Sequence, residues 1–207
     1  MGSDSLLEIS DLKASYGEVE ALKGIQLTVK RGEITCLLGK NGMGKSTIIK
    51  CVCGMLETMT GQINFDGNDI VGLQSYMIAR LGVGLVPEGR RVFTSLSVQE
   101  NLLSASRNGF WDLKKIFNLF PILGERGSQS ALTLSGGEQQ MLAIGRALMT
   151  NPSLLILDEA TEGLSPIVSE QVWEVLNKVS NEGVTILIVD KLSHRLVSLS
   201  HSGFIIE

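Results

Sequence analysis

The chain has 207 residues, of which 43% are hydrophobic and 19% are charged, the balance of a globular protein with one large domain or one domain carrying a smaller insertion. Its 18 basic and 22 acidic residues leave a formal net charge of −4, so no basic excess favours nucleic acid as a partner and we expect none. The cysteines lie in apolar segments without zinc-binding spacing, and no apolar run reaches the roughly 18 residues of a membrane span.

The N-terminal segment predicts strands and turns. Short apolar runs between residues 6 and 29 are interrupted by Gly17 and Gly24, a pattern typical of strands that are joined by turns. We therefore expect an antiparallel strand element near the N-terminus.

A buried strand, a glycine-rich turn and a helix follow in direct succession. Residues 34–38 are continuously apolar, and apolar residues recur at helical spacing from Ile48 to Met55. Between them, residues 39–46 (GKNGMGKS) match the phosphate-binding pattern G-x-x-x-x-G-K-[ST]. Backbone amides of such a loop and the positive end of the helix dipole bind phosphate.

This loop predicts a site for ATP and Mg²⁺. Lys45 would reach the β- and γ-phosphates, and the Ser46 hydroxyl would bind Mg²⁺. The predicted nucleotide-binding residues of the loop are Gly39, Lys40, Asn41, Gly42, Met43, Gly44, Lys45, Ser46 and Thr47.

The middle of the chain differs from its flanks. Residues 83–86 form a short apolar run that predicts a buried strand, but from residue 88 to residue 133 the strand signal is absent. Helical spacing in residues 113–120 indicates a mostly helical insertion. We therefore predict an ATP-binding core in two parts, residues 1–87 and 134–207, with a helical subdomain at residues 88–133 between them.

Two amphipathic helices are predicted in the second half. One begins after Ser135, whose side chain can cap it while Glu138 reaches back to the start of the helix. The other has Ser165 as its cap and Pro166 as its first residue, and it ends near Gly183. Apolar runs at 154–157 and 184–189 predict strands beside them, so we expect a largely parallel sheet in an α/β fold.

The strand at 154–157 ends in two carboxylates, Asp158 and Glu159. Ligands bind at the carboxyl ends of parallel strands, so Asp158 is placed to hold the Mg²⁺ of the loop and Glu159 to orient or deprotonate a water molecule. A solvated turn would give the same local pattern. The presence of the phosphate-binding loop in the same chain favours the functional interpretation.

Residues 134–140 (LSGGEQQ) match the LSGGQ-like signature of ABC ATPases, with Glu138 where many members have Gln. The chain therefore resembles these proteins, whose P-loop core is RecA-like. A serine-capped helix start with two glycines is also an anion site on physical grounds. The resemblance implies that Ser135, Gly136, Gly137 and Glu138 act on ATP bound by a second cassette, so that two cassettes enclose two ATP molecules.

Other segments extend the resemblance. Tyr16 lies where the family stacks an aromatic ring on adenine, and residues 160–166 resemble the D-loop, with Ala160 in place of the usual Pro. Residues 86–93 resemble the Q-loop of the LivF-like group, which serves branched-chain amino acid uptake, and residues 141–149 point to the same group. Glu88 takes the place of the usual Gln and can still ligate Mg²⁺.

The residue at the usual position of the switch histidine is Lys191. A lysine can contact phosphate but cannot transfer a proton as imidazole does. We expect Lys191 to support the γ-phosphate, the alternative being an ordinary surface lysine. His194 follows three residues later and is expected to face solvent.

The resemblance implies an ATP-hydrolysing subunit of an ABC importer, with branched-chain or other amino acids as cargo and urea or small organic acids as the alternative. The implied partners are a second cassette, identical or related, membrane permease subunits that dock near residues 88–93, and indirectly an extracytoplasmic substrate-binding protein. The implied location is peripheral, at the cytoplasmic face of the inner membrane. A non-transport ABC ATPase and a P-loop kinase are the competing classes, and the signature disfavours the kinase.

Overall fold

The structure is a computed structural model that describes residues 4–57, 59–191 and 194–206. Its strands are β1 (Ser5–Tyr16), β2 (Val19–Lys30), β3 (Ile34–Gly39), β4 (Met59–Phe65), β5 (Asn68–Asp69), β6 (Val83–Val86), β7 (Leu154–Asp158), β8 (Thr185–Asp190) and β9 (Ser202–Ile206). Its helices are α1 (Lys45–Val52), α2 (Ser75–Leu81), α3 (Val98–Leu103), α4 (Leu113–Leu119), α5 (Pro121–Glu125), α6 (Gly136–Leu148), α7 (Pro166–Asn181) and α8 (His194–Leu199). None of the helices in these ranges combines the length and the apolar composition that crossing a bilayer requires.

The central sheet is parallel and has the strand order β6-β7-β8-β3-β9. Strands β3, β7 and β8 are mainly apolar and almost fully buried, since both of their faces are covered. Alternate residues of β3 belong to different hydrophobic clusters: Cys36 packs with α6 and α7, whereas Leu37 packs with α1 and the N-terminal sheet. The expectation of an α/β fold with a mainly parallel sheet is confirmed.

The N-terminal sheet is antiparallel, as expected, with the strand order β2-β1-β4-β5. Gly17 lies in the turn between β1 and β2 with a φ of 58°. The expectation that Gly24 also marks a break is wrong, because Gly24 lies inside β2, where the pairing with β1 changes register. This bulge absorbs the glycine at a φ of 94° and lets the strand continue.

The helix predictions are confirmed except at one end. Helix α6 begins with the expected capping box between Ser135 and Glu138, and the Ser165 hydroxyl caps α7 by accepting a hydrogen bond from the Val168 amide. Helix α1, however, ends at Val52, so the extension of helical spacing to Met55 is wrong. Because the Met55 side chain is 55% exposed, its position in the apolar pattern did not reflect burial.

Residues 88–133 contain three short α-helices, α3 to α5, and a 3₁₀ turn at Ala131–Thr133. Helices α3 and α4 pack closely on α6: a Cβ on Gly145 would lie 3.0 Å from Ile116 Cγ2 and 3.1 Å from Leu102 Cδ2. This segment shares one hydrophobic cluster with α6 and α7. The division of the chain at residues 88 and 133 therefore stays a prediction.

Candidate nucleotide-binding site

The glycine-rich loop connects β3 to α1 and has a backbone that only glycine allows. Gly42 and Gly44 have φ values of 84° and 91°. A Cβ on Gly44 would lie 2.6 Å from Leu22 Cδ2 and 2.9 Å from the Ala21 carbonyl oxygen. Gly44 is also the N-cap of α1 and provides no side-chain capping bond, which leaves the amides at the helix start available to an anion.

The Lys45 ammonium lies inside this loop. The side chain is buried, and Nζ donates hydrogen bonds to the Gly39 carbonyl at 2.7 Å and the Lys40 carbonyl at 3.0 Å. The loop therefore holds a positive charge beside the free amides of α1. This is the arrangement that binding a polyphosphate requires.

Asp158 lies at the carboxyl end of β7 and is hydrogen-bonded to Ser46 of the loop. Burial raises the pKa of Asp158, while the Ser46 hydrogen bond and the charge of Lys45 partly offset this effect. Its Oδ1 atom is buried and has no hydrogen-bond partner among the described residues. A buried carboxylate oxygen without a partner is costly, so the Ser46 and Asp158 oxygens fit a divalent cation such as Mg²⁺.

Glu159 begins an acidic cluster next to this pair. Carboxylate oxygens of Glu88, Glu159 and Glu162 lie within 4.8 Å of one another. A hydrogen bond to Glu162, together with burial, raises the pKa of Glu159 to about 7, and Glu162 has a lowered pKa in return. The pair therefore takes up a proton as the pH falls through about 7.

Lys191 forms an ion pair with Glu162 that the sequence analysis missed. Its Nζ lies 3.0 Å from Glu162 Oε1, and both side chains are about half exposed. This hydrogen bond raises the pKa of Lys191. The sequence around Glu162 gives little indication of this ion pair. Glu162 is brought into the site by a turn, in which its amide donates a hydrogen bond to the Glu159 carbonyl. The side chain of His194 lies outside the described residues.

One cavity of about 460 Å³ is lined by half of the predicted site residues. Its volume lies within the usual range for small-molecule sites, roughly 300–1,000 Å³. The residues that line it are Tyr16, Ala21, Asn41, Gly42, Gly44, Lys45, Ser46, Thr47, Glu88, Glu159 and Glu162. Three other loop residues, Gly39, Lys40 and Met43, instead line a larger cavity of about 760 Å³ together with Lys191 and residues of β9.

Tyr16 stands at the end of β1 on the rim of the smaller cavity. Its ring is 43% exposed. The Lys50 ammonium lies 5.2 Å from the ring centroid and donates a hydrogen bond to the Tyr16 hydroxyl at 3.2 Å. The helix that follows the loop thus holds the ring in place, and the exposed part of the ring is free to stack on a base.

The signature residues lie apart from this cavity, at the start of α6. The Ser135 amide donates to Glu138 Oε2 at 2.8 Å, and the Glu138 amide donates to Ser135 Oγ at 3.3 Å. A Cβ on Gly136 would lie 2.5 Å from an Arg90 guanidinium nitrogen. Ser135, Gly136, Gly137 and Glu138 do not line the cavity that contains Lys45, a placement compatible with action on a nucleotide bound by another molecule.

The fold and the site define a P-loop nucleotide-binding protein, because the glycine loop joins a parallel strand to a helix and faces an acidic strand end. The family model for ABC transporters matches residues 22–162, and the chain belongs to this family. The resemblance inferred from the signature is thereby confirmed. As a member, the chain is an ABC ATPase, with ATP hydrolysis coupled to transport.

The relatives agree with this assignment, and one solved structure has the same fold. The chain is 42% identical to the high-affinity branched-chain amino acid transport ATP-binding protein BraG of Pseudomonas aeruginosa, over 98% of this chain and 89% of BraG. It is 32% identical to the probable branched-chain amino acid transport ATP-binding protein LivF of Archaeoglobus fulgidus, over 97% and 88%. A dimeric ATP-binding cassette bound to ADP and phosphate has the same fold, with a TM-score of 0.84 at 21% identity over 97% and 94% of the two chains.

Proposed function

We propose that this chain is the ATP-hydrolysing subunit of an ABC importer for branched-chain or other amino acids. The observation that carries the proposal is the cavity that places the phosphate-binding loop, the Tyr16 ring and the acidic end of β7 around one volume. The relatives named for branched-chain amino acid transport support the cargo class. Urea or a small organic acid is the alternative cargo.

The adenine and the phosphates of ATP bind at different ends of the cavity. The Tyr16 ring stacks on adenine, and the free amides at the start of α1 bind the phosphates together with the Lys45 ammonium. Lys45 donates to two loop carbonyls, and a phosphate oxygen in the cavity would be a further acceptor for its ammonium. Lys45 thereby couples the conformation of the loop to the triphosphate.

Ser46 and Asp158 hold Mg²⁺ in this proposal, with Glu88 as a further carboxylate at its edge. When bound, Mg²⁺ neutralises charge on the β- and γ-phosphate oxygens. The unpaired Oδ1 atom of Asp158 supports this assignment, because a cation would satisfy it.

Glu159 acts on the water molecule that attacks the γ-phosphate. A general base works best when its pKa lies near the working pH, and the pKa of Glu159 is raised to about 7. Glu159 therefore orients the water and accepts its proton, while Lys191 supplies positive charge to the γ-phosphate.

The signature residues complete the site of a second cassette. The start of α6 offers the Ser135 hydroxyl and the amides of Gly136 and Gly137, and these groups do not line the cavity of their own chain. ATP then bridges two molecules and closes the dimer, and hydrolysis releases it. The two cassettes are identical or related.

Residues 88–93 lie beside a groove suited to a helix of the membrane permease. A cavity of about 360 Å³ there is lined partly by Met55, Tyr76 and Arg146, and the Arg146 guanidinium lies 4.7 Å from the Phe93 ring centroid. Met55, Tyr76 and Phe93 are each more than half exposed, a composition typical of helix-binding grooves. The chain would thus be peripheral at the cytoplasmic face of the inner membrane, with the extracytoplasmic substrate-binding protein as an indirect partner.

Gel filtration with and without Mg²⁺ and ATP tests the central claim. We expect Glu159→Gln to bind ATP without hydrolysing it and to elute as a dimer only when ATP is present. Lys45→Ala is the matched control and should bind ATP weakly and stay monomeric. A monomer of Glu159→Gln at saturating ATP would contradict the two-cassette site.

Two further measurements address the remaining assignments. An unchanged rate of phosphate release in Lys191→Ala would remove Lys191 from the site. Co-purification with a membrane permease separates an importer from a non-transport ABC ATPase, which would be recovered without one.

A further inference from the structure

Glu162 lies inside the candidate site although neither the loop pattern nor the acidic strand end includes it. Its side chain lines the same cavity as Lys45 and Ser46. Its carboxylate approaches that of Glu159 within 4.8 Å, and its Oε1 atom lies 3.0 Å from the Lys191 ammonium. Glu162 thus lies close both to Glu159, which acts on water, and to the Lys191 ammonium.

The backbone fixes both partners of this ion pair. The Glu159 amide donates to the Val189 carbonyl at 2.8 Å, which joins the loop after β7 to the end of β8. The Glu162 amide donates to the Glu159 carbonyl at 3.2 Å and closes the turn. On the other side, the Lys191 amide donates to Asp190 Oδ1 at 2.7 Å. The two side chains therefore start from positions set by neighbouring parallel strands.

Glu159 and Glu162 compete for the Lys191 ammonium. Both carboxylates raise the pKa of Lys191, and Glu162 has the larger effect. If Glu162 lost its charge, Glu159 would be the carboxylate with the strongest remaining effect on the ammonium, ahead of Asp190. A Glu159 carboxylate with its oxygens bound to Lys191 has fewer acceptor positions for a water molecule.

We propose that Glu162 is a positioning residue of the hydrolytic site, which holds the Lys191 ammonium through an ion pair and so keeps it off the carboxylate of Glu159. Glu162 itself neither accepts the proton of water nor binds phosphate. This inference rests on the proposed function, since it assigns Glu159 to the attacking water. The ion pair also holds the Lys191 ammonium beside Glu162, which lines the cavity.

The test is a double-mutant cycle on the full chain with Mg²⁺ and ATP. Glu162→Gln keeps the size of the side chain and removes its charge. We expect kcat to fall by about three- to fivefold with KM changed by less than about twofold, since a half-exposed ion pair contributes only modestly. In a Lys191→Met background, where no ammonium can reach Glu159, adding Glu162→Gln should leave kcat on its alkaline plateau within about twofold, because Glu159 is ionised there with or without Glu162.

Glu170→Gln is the matched control, because the Glu170 side chain is as exposed as that of Glu162, forms an ion pair with Arg195 and does not line the cavity. This control should keep the unaltered kcat. Glu162→Ala replaces Glu162→Gln if the latter does not fold. The inference is overturned by an unchanged kcat in the Glu162 variants, or by an equal loss in the Lys191→Met background. Absence of Mg²⁺-dependent hydrolysis by the unaltered chain would instead overturn the proposed function.

Discussion

Replacing Gly44 by Ala perturbs the phosphate-binding loop in two separable ways. The residue has a φ of 91°, which an L side chain rarely adopts. The new Cβ would also lie 2.6 Å from Leu22 Cδ2 and 2.9 Å from the Ala21 carbonyl oxygen. The end of the leucine side chain can move, but the carbonyl belongs to strand β2. The loop or the strand must therefore shift.

The backbone strain and the crowding each have a free-energy cost. The left-handed backbone costs about 1–2 kcal/mol for a residue with a Cβ. The crowding adds about 1–3 kcal/mol, as for other insertions into packed regions. Gly42→Ala is the matched control, because Gly42 has a similar φ of 84° and no atom lies within 4 Å of its added Cβ. We therefore expect Gly44→Ala to lose more free energy of unfolding than Gly42→Ala, by about 1–3 kcal/mol.

Urea unfolding followed by circular dichroism measures this difference. A shift of the loop also displaces the amides at the start of α1, so Gly44→Ala should bind a fluorescent ATP analogue more weakly than the unaltered chain. Equal losses of unfolding free energy in the two variants would show that the contact with β2 does not restrict the loop, and would refute the reasoning.

Three further predictions follow from the same geometry. Ser135→Ala should lower the free energy of unfolding by about 1 kcal/mol, because the cap of α6 is lost. It should also weaken ATP-dependent dimerisation but not ATP binding, and unchanged dimerisation would contradict the role of the signature. In the presence of a chelator, Asp158→Asn should be at least as stable as the unaltered chain, because it removes a buried charge with an unpaired oxygen. Mg²⁺ with ATP should raise the melting temperature of the unaltered chain but not that of Asp158→Asn. An equal rise in both would exclude Asp158 as a ligand of Mg²⁺. Burial raises the pKa of Cys51 to about 11 and that of Cys53 to about 12, so the folded chain should resist a thiol reagent at mildly alkaline pH. Because the pKa values of these thiols in the folded chain exceed the ordinary 9.0, unfolding releases protons above that pH, and the stability of the fold should fall as the pH rises further. Fast labelling of the folded chain would contradict this burial, because it would show that the thiols are accessible.

The helix starts and the strand ends of the site were predictable because their signals are local. The capping box of Ser135 and Glu138 needs only a spacing of three residues, and the structure forms both of its hydrogen bonds. The loop pattern around Lys45 likewise follows directly from the order of residues. Glycine and apolar patterns were less reliable, because Gly24 is absorbed in a bulge and Met55 is exposed.

Strands β4, β5 and β9 escaped prediction for a different reason. Strand β4 pairs with β1, and β9 forms the edge of the parallel sheet beside β3. In β9 half-buried and exposed residues alternate over only five positions, so its short sequence contains little evidence of a strand. Pairing with a distant segment supplies the stabilisation, and sequence periodicity does not report that pairing.

The sequence by itself determined the phosphate-binding loop, the acidic strand end, the signature helix and the parallel α/β core, because each depends on spacing within a short segment. Only the tertiary structure decided which distant groups meet: the hydrogen bond of Ser46 with Asp158, the ion pair of Glu162 with Lys191 and the separation of Ser135 from the cavity. The physical reason is that the loops after β3, β7 and β8 lie at the same edge of the sheet, and the order of strands in the sheet differs from their order in the chain.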